Sequence, residues 1–493
     1  MKVYQNIFVG RNLRRARFIV GAGFVSVAAL LAVPVAGARA ESINDALSSA
    51  YQHNPALHAE QARLRGTDEE VARAQSGYRP NVTLNGELGS VDTDTRPGSL
   101  ADGRTSPYGY SVTVTQPLFR GFRTINGVRT ARAQVHAGRA SLRQVEQNVL
   151  LDAVTAYMNV VREGAVLRLQ TNNVSVLSQQ FNATNDRFSV GEVTTTDVAQ
   201  ARARRSISVS SLNLARANLK TARAEFRRIV GHQPKRLQHP GTIAKHLPKN
   251  QREALSWGLA EHPSIEVALF NEKAARHNVN VIQGERLPEV NLEAQYSQNF
   301  DSSPLTDERE TGSVYARARV PLYQGGEVYA RIRQAKQLVL QRRAELSQAR
   351  LLVQSSVISA WGQLEAARAQ IEANRVAVRA NRTALSGVRE EEKVGQRTIL
   401  DVLDAEQAFL NSQVDLVTAQ RDVIVAEYNL LASIGRLSVV MLPVPTMIYD
   451  PVENYSRVDR RWRGSTINHA ELDERRVMLS EDMFSRRDEA SFK

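Results

Sequence analysis

The chain of 493 residues contains no cysteine. Disulfide bonds, thiolate metal sites, cysteine nucleophiles and lipid attachment through a cysteine are therefore excluded. The nine histidines show no metal-ligand spacing such as H-E-x-x-H. Neither a G-x-S-x-G nucleophile turn nor a glycine-rich phosphate loop occurs. These absences argue against an enzyme, and neither a cofactor nor a metal is predicted.

Long apolar segments are nearly absent. Mean hydropathy is −0.35, and only residues 18–37 approach the roughly 20 residues that a membrane-spanning helix needs. Basic residues precede this run, and Ala38-Arg39-Ala40 follows it. A basic head, an apolar middle and a small-x-small site predict a secretory signal peptide over residues 1–40. A permanent membrane anchor is the alternative.

The formal net charge of +13 could indicate nucleic-acid binding. The arginines are spread along the predicted helices, however, and no aromatic platform for base stacking accompanies them. The excess charge therefore indicates solvated helix faces, and no nucleic-acid partner is predicted.

The sequence repeats itself at an offset of 204 residues. Q-P-L-F-R-G at residues 116–121 corresponds to V-P-L-Y-Q-G at residues 320–325. Upstream the offset is 208 residues, because Asn54-Pro55 corresponds to His262-Pro263. Matches over so long a stretch predict two structural repeats, over residues 41–240 and 241–445. Each repeat is read as helices, two strands, a long helix and a returning helix.

Two segments of each repeat alternate apolar and polar residues and are predicted as strands. These segments are residues 81–89, 108–116, 289–298 and 313–320. Pro117 and Pro321 are expected to end a strand, because proline lacks the backbone donor that a ladder needs. Gly121 and Gly325 follow and are expected to let the chain turn into a helix.

Proline is absent from residues 124–186 and 326–390, so each stretch could form a helix about 95 Å long. Apolar residues recur every seven positions in both, and both series shift by four residues after Ala156 or Ala360. A seven-residue repeat drives supercoiling, and an inserted four unwinds it locally. The long helices are therefore expected to change packing partners or supercoiling near these alanines.

The repeat pattern stops after about Pro443. Residues 446–493 are polar, with mixed charge and no sustained apolar period. Such a segment cannot bury enough apolar surface to offset the entropy of ordering. It is predicted to be a disordered C-terminal tail.

Four strands cannot close a membrane barrel alone. Open strand edges leave backbone groups unsatisfied in lipid, and about eight strands form the smallest closed barrel. Two copies would supply eight strands around a filled interior, and three would supply twelve around a pore. Membrane insertion therefore requires association of copies, whereas an ordinary small sheet does not.

The second long helix ends in a motif that carries a family resemblance. V-G-Q-R-T-I-L-D-V-L-D-A at residues 394–405, the weaker V-G-E-V-T-T-T-D-V at residues 190–198 and the Q-P-L-F-R-G junction are similar to those of TolC-type outer-membrane efflux proteins. The resemblance covers roughly residues 41–442. The absence of cysteine places the chain with the non-lipidated branch.

This resemblance implies an α+β fold in a homotrimer. Four strands per protomer would form a 12-stranded outer-membrane β-barrel, continued by a long periplasmic α-helical barrel. It implies an exit duct in the outer membrane of a Gram-negative bacterium, surrounded by outer-membrane lipid. The cargo would be drugs and toxic compounds, with type I protein secretion as a further use. The implied partners are a periplasmic membrane-fusion (adaptor) protein and an inner-membrane RND, ABC or MFS transporter.

A periplasmic coiled-coil adaptor or scaffold is the alternative function. Adaptors also contain long helical hairpins. They normally place one hairpin within a β-rich chain, without a full duplication.

Asp401 and Asp404 lie three residues apart near a predicted helix start, so they share one face. The resemblance places both in the pore at the periplasmic entrance. Copies of the chain would form acidic rings there, which favour cations and bind multivalent ones. An acid that interacts with the helix dipole is the alternative.

The resemblance also implies contacts that hold the entrance shut. Arg397 would contact Thr196 and Asp197 of a neighbouring helix pair through charge-assisted hydrogen bonds. Glu392 departs from the family pattern, in which a tyrosine donates to the acid at the position of Asp197. An ionised glutamate cannot donate. Two basic residues are the expected substitutes: Lys393 and Arg389.

The turns between the long and returning helices are the expected adaptor-docking sites. They contain Val190, Gly191, Val394 and Gly395. Glycine permits the backbone angles that such tight turns need.

Overall fold

The computed structural model describes residues 40–98, 102–442, 444–459, 461–465 and 467. Most of the predicted signal peptide, residues 1–39, and the end of the tail lie outside these residues. Within the described part, no helix is both long enough and apolar enough to cross a bilayer.

The two repeats share a succession of two helices, two main strands, a long helix and a returning helix, and the first repeat has an additional short hairpin. The first comprises α1 (Ile43–His53), α2 (Pro55–Gln75), β1 (Asn81–Leu88), β2 (Val91–Thr93), β3 (Gly103–Thr105), β4 (Tyr108–Arg120), α3 (Arg123–Ser189) and α4 (Thr195–Val230). The second comprises α5 (Gln251–Glu261), α6 (Pro263–Gln283), β5 (Glu289–Ser303), β6 (Thr306–Arg319), α7 (Glu327–Lys393) and α8 (Ile399–Ser433). A short helix, α9 (Glu453–Val458), follows. Because α3 and α7 each have 67 residues, each is about 100 Å long. The predicted duplication is confirmed.

The main sheet has the order β1-β4-β5-β6, with antiparallel neighbours throughout. The strands β1 and β6 are its edges, while β2 and β3 form a separate hairpin in the β1–β4 connection. One face carries mostly apolar side chains, including Val82, Leu84, Val112, Val114, Leu292, Ala294, Tyr296 and Val314. The other carries mostly polar ones, including Thr83, Asn85, Glu87, Thr113, Thr115, Glu293, Gln295 and Ser313. The predicted alternation is therefore confirmed.

Three of the four strands extend beyond their predicted ends. Pro117 was expected to end β4, but the strand continues to Arg120 through a register shift between Pro117 and Phe119. A bulge accommodates proline because it leaves a ladder position unpaired. The strands β5 and β6 also extend towards each other, and only Pro304 and Leu305 separate them. Pairing across this hairpin stabilises polar residues that the sequence pattern assigned to a loop. Pro321 does lie just after the end of β6.

The junction of β4 and α3 requires glycine. Gly121 has a φ of +57°, and a Cβ atom there would overlap the carbonyl oxygen of Gly284. Gly284 is equally constrained, because its own Cβ would overlap the carbonyl oxygen of Gly121. The two backbones therefore touch where the first repeat meets the second. Gly325 has a φ of +61° at the corresponding junction, with open space around it within the chain.

The apolar seams of α3 and α7 face other helices, as the heptads predict. Along α3, α2 packs against the first part and α4 against the second. The start of α2 meets the end of α4 at Asn54. The Asn54 side chain accepts a hydrogen bond from the Ala56 N–H (2.9 Å) and donates one to the Ile229 carbonyl (3.1 Å). The predicted change of packing partner near Ala156 is confirmed.

The largest apolar core lies at this midpoint and combines both repeats. Tyr157 of α3 is fully buried there. Its hydroxyl lies 2.9 Å from the Glu41 carbonyl oxygen and 2.6 Å from that of Gln238. Burial raises the pKa of Tyr157, so the hydroxyl stays protonated and able to donate. The core thus fastens the segment before α1 and the segment between the repeats to the long helix.

The tail prediction is wrong for the described part of residues 446–493. Asn454 donates to the Asp68 carboxylate of α2 (2.8 Å), and Gln75 donates to Asp459 (2.8 Å). Tyr455 packs on a small cluster formed by α2 and α3, and Val458 is buried. The reason is an apolar spacing of three or four residues: Tyr449, Val452, Tyr455, Val458, Trp462. Contacts with α2 and α3 provide the burial that the segment lacks alone.

Replacing Gly284 with alanine is expected to lower the melting temperature. The new methyl group would press on the Gly121 carbonyl and the Arg123 side chain, and overpacking of this kind costs about 1–3 kcal/mol. Circular dichroism of the detergent-purified protein would measure the change. Gly66→Ala is the control, because Gly66 lies in α2 with no atom near its Cβ position. A G284A protein as stable as the G66A protein would refute the close contact.

Candidate functional site

The two long helices end in turns with the same geometry. Gly191 has a φ of +80° and donates to the Phe188 carbonyl at 3.0 Å, while Gly395 has a φ of +76° and donates to the Glu392 carbonyl at 2.9 Å. Val190 and Val394 are 71% and 70% exposed. Each turn therefore presents an apolar side chain at the end of the molecule farthest along the long helices. We call residues 190–194 and 394–398 the two tips.

Each returning helix begins with a capping box. Thr398 donates through its backbone N–H (2.9 Å) and its hydroxyl (2.8 Å) to one carboxylate oxygen of Asp401. These hydrogen bonds, followed by the nearby Arg397 guanidinium, lower the pKa of Asp401. Thr194 and Asp197 repeat the arrangement in the first repeat. Asp401 thus has a structural task at the helix start, close to the alternative that the sequence left open.

Asp404 lies one turn further along α8 and forms an ion pair with Arg204 of α4. Its side chain is nevertheless 57% exposed. Asp404 therefore remains accessible to ions, with its charge partly compensated from the same chain. Sequence reasoning identified Asp404 but not Arg204, because only the packing of α4 near α8 brings them together.

The structure does not bring Arg397 to its predicted partners within one chain. The Arg397 guanidinium donates instead to Glu391, 2.9 Å away and just before the same turn. Thr196 is exposed, and Asp197 is engaged in its own capping box. A contact between Arg397 and these residues could therefore only join different chains.

Glu392 has a partner that the sequence did not reveal. Arg187, near the end of α3, donates to the Glu392 carboxylate at 2.7 Å and forms a second ion pair with Glu192 at 3.3 Å. The hydrogen bond to Glu392 is the main cause of the raised pKa of Arg187. The glutamate side chain is only 15% exposed. This ion pair, the tip bridge, connects the ends of the two long helices.

The basic residues expected near Glu392 have other partners. Lys393 pairs with Glu390 at 2.8 Å, and Arg389 donates to the buried Glu406 at 2.8 Å. A small apolar cluster behind the bridge joins α3 to α8 through Leu177, Ile399 and Leu403. Within one chain, the region of the tips is therefore held together by the tip bridge, by the Arg204–Asp404 ion pair and by a thin apolar layer.

No group of histidine, aspartate and glutamate residues in the described part of the chain could hold a metal ion. The chemistry that the tips offer is electrostatic: exposed acids, compensating arginines and apolar turn residues. Such a surface can select and dock.

The family pattern described as outer membrane efflux protein matches residues 46–232 and 255–436. The outer membrane efflux protein BepC of Brucella suis is 40% identical over 429 residues, covering 87% of this chain and 92% of that protein. The outer membrane protein TolC of Escherichia coli is 25% identical, covering 81% and 83%. The alkaline protease secretion protein AprF of Pseudomonas aeruginosa is 25% identical, covering 68% and 71%.

A solved structure confirms the fold. The outer membrane protein VceC of Vibrio cholerae superimposes with a TM-score of 0.69 at 20% identity, covering 80% of this chain and 96% of that one. The two family matches coincide with the two repeats. The resemblance to TolC-type proteins is therefore confirmed, and an outer-membrane outlet is favoured over a periplasmic adaptor or scaffold.

Breaking the tip bridge is expected to loosen the contact between the ends of the two long helices. For a half-exposed pair, Arg187→Ala removes about 1 kcal/mol per protomer, which shifts an open–closed equilibrium about fivefold. Uptake of a large antibiotic such as vancomycin by cells that carry the variant as their outlet would report the change.

Lys393→Ala is the matched control, since it breaks an exposed pair on the same turn of α7. The charge-swapped variant R187E/E392R should restore the barrier. Equal leakage from the R187A and K393A variants would show that the bridge does not hold the entrance.

Proposed function

Because the chain belongs to the outer membrane efflux protein family, we propose that three copies form the outer-membrane exit duct of an efflux assembly. The protein lies in the outer membrane and extends into the periplasm. The observation that best supports a trimer is the four-stranded sheet, which has two unpaired edges, one apolar face and one polar face. In a bilayer the apolar face meets lipid, the polar face lines the lumen, and both edges need partners. Three copies supply twelve strands, enough for an open pore.

The helices support the same assembly. The equally long α3 and α7 differ in burial, with 20 buried residues on α3 and 10 on α7. Within the chain, α3 packs between α2 and α6, whereas α7 packs against α6 alone in that layer. Apolar side chains remain exposed on α7, including Leu340, Leu351, Leu352 and Val376. By the repeat, the α2 helix of a second copy would cover those before Ala360 and its α4 helix would cover Val376, closing the helices into a tube.

The tips are the proposed docking sites for a periplasmic adaptor. Val190 and Val394 are exposed apolar anchors in rigid turns that recur in both repeats. The adaptor would connect the duct to an energised inner-membrane RND, ABC or MFS transporter. The BepC name, outer membrane efflux protein, supports efflux as the main task. The AprF name supports protein secretion as a second use of the same outlet.

The acids near the tips are the proposed cation filter. Asp404 would contribute a ring of exposed carboxylates, each with Arg204 beside it. Asp401 would add a second ring, whose lowered pKa keeps it charged at any periplasmic pH. Arg397 would reach Thr196 and Asp197 of the neighbouring copy and supplement the tip bridge. The tips would thus close by contacts between copies as well as within each copy.

The duplication predicts the register between copies. Within the chain, Thr115 of β4 faces Glu293 of β5. The repeat offsets carry these positions to Arg319 of β6 and Asn85 of β1. We therefore expect Arg319 of one copy to face Asn85 of the next. Because the chain has no cysteine, the R319C/N85C variant should form oxidised trimers on a denaturing gel.

Two controls accompany this experiment. The T115C/E293C pair should cross-link within one chain and leave the gel mobility of a monomer. The R319C/L84C pair should react poorly, since one residue of slip turns the second side chain to the opposite face. Preferential cross-linking of R319C/L84C would overturn the register, and purely monomeric products would overturn the trimer.

Neutralising Asp404 is expected to reduce cation selectivity and the block by trivalent cations in planar-bilayer recordings. Arg204→Gln should act in the opposite direction, because it frees the Asp404 charge. Asp415→Asn is the control for a lost acid farther along α8. An unchanged reversal potential for both D404N and R204Q would remove Asp404 from the filter.

Deletion of the gene is expected to sensitise cells to detergents and lipophilic drugs. Complementation by the intact chain should restore resistance together with outer-membrane trimers. A chain recovered as a soluble periplasmic monomer would contradict the duct.

A further inference from the structure

A continuous two-part groove lies where the helices of the first repeat meet the sheet. Its basic part encloses about 600 Å³. Its apolar part encloses about 230 Å³ beside the end of β4. Tyr78 and Ile125 line both parts, so the two cavities adjoin.

The basic part combines three guanidinium groups. Arg129 and Arg132 lie on α3 and are exposed, and no carboxylate of the described residues pairs with either. Arg79 lies over the Trp462 ring at 4.9 Å and donates to the Arg461 carbonyl at 2.9 Å. Among the described residues, Asp459 is the one acid bonded to a residue that lines this part. Its carboxylate accepts a hydrogen bond from the Gln75 side chain. The cavity therefore has excess positive charge, in the planar form that suits phosphate oxygens.

The apolar part opens towards the lipid side of the sheet. Phe119 lies opposite Val290 in the row of the apolar face and packs edge-on against Phe122 at 5.1 Å. Leu118 and Phe122 are each 59% exposed. Tyr78 lines both parts and Trp462 lines the basic part; tyrosine and tryptophan are the two aromatic types that prefer the boundary between lipid and water.

We propose that this groove binds one phospholipid of the periplasmic leaflet. Arg129 and Arg132, with Arg79, would hold the headgroup phosphate, and the acyl chains would lie over Leu118 and Phe122. The proposal rests on the proposed duct, because only a sheet within the outer membrane brings phospholipid to this depth. The ordered tail would then be part of the lipid site, since it contributes Trp462.

The fluorescence of Trp462, the tryptophan of the tail, would measure lipid binding directly. Trp462 is one of three tryptophans, and the other two, Trp257 and Trp361, pack on the midpoint core. The full-length trimer in neutral detergent would be titrated with phosphatidylglycerol brominated on its acyl chains, which quenches nearby tryptophan. The expected result is saturable quenching that W462F abolishes and that unbrominated phosphatidylglycerol reverses.

The R129A/R132A variant should weaken this binding by about tenfold or more, as loss of charge-assisted hydrogen bonds predicts. The R333A/K336A variant is the matched control. It removes the same charge from the corresponding positions of α7, so it should retain the affinity. Trimer gels and melting temperatures would establish that each variant is folded.

Several results would overturn the proposal. Among them are quenching without saturation, equal losses in the two double variants, and equal quenching by a brominated diacylglycerol without phosphate. Displacement of the lipid by millimolar inorganic phosphate alone would also overturn it in favour of a simple anion site. A failed lipid titration on a protein that still forms the R319C/N85C trimer would refute the lipid site and leave the duct intact.

Discussion

Unsatisfied backbone hydrogen bonds at the edges of a sheet are the constraint from which the architecture follows. The chain offers four strands, and both edges, β1 and β6, lack partners within it. In lipid each open edge costs several kcal/mol per unpaired group. Duplication doubles the number of strands but leaves two open edges. Only association with other copies can pair these edges. The same incompleteness recurs in the helices, where α7 buries half as many residues as α3. A neighbouring copy on each side would pair the open strand edges and would also cover the exposed side of α7.

The close contact of Gly121 with Gly284 shows how the repeats were fitted together. Gly121 comes from the first repeat and Gly284 from the second, and neither tolerates a Cβ atom. The corresponding junction at Gly325 keeps the left-handed backbone angle but has no neighbour within the chain. Its counterpart in the next copy would be Ser76. Because Ser76 carries a Cβ atom, the junction between chains cannot repeat the close backbone contact inside one chain. That contact is particular to the two repeats of one chain, which the core around Tyr157 also joins.

The sequence predicted features that depend on periodicity. Alternation placed Val82 and Leu84 on the apolar face, and heptads identified the buried seams of both long helices. Prediction from the sequence failed where a contact with a residue distant in the sequence determines the structure. The β4 strand passes Pro117 because a bulge absorbs the missing donor, and the tail is ordered because α2 and α3 cover Tyr455. Arg187 was missed for the same reason: a charge near a turn indicates nothing until packing brings Glu392 to it.

The ends of the long helices show how a repeated scaffold can carry different charges. The repeat offset relates Arg187, just before the first tip, to Glu391, just before the second. Arg187 pairs with Glu392 across the repeats, whereas Glu391 pairs with Arg397 within its own repeat. Glu392 corresponds to Phe188 of the first repeat, so the ion pair joins positions that are not equivalent in the two repeats. The backbone geometry of the two turns is nevertheless the same. Charges at the ends of the long helices can therefore differ between the repeats without a change in the turns.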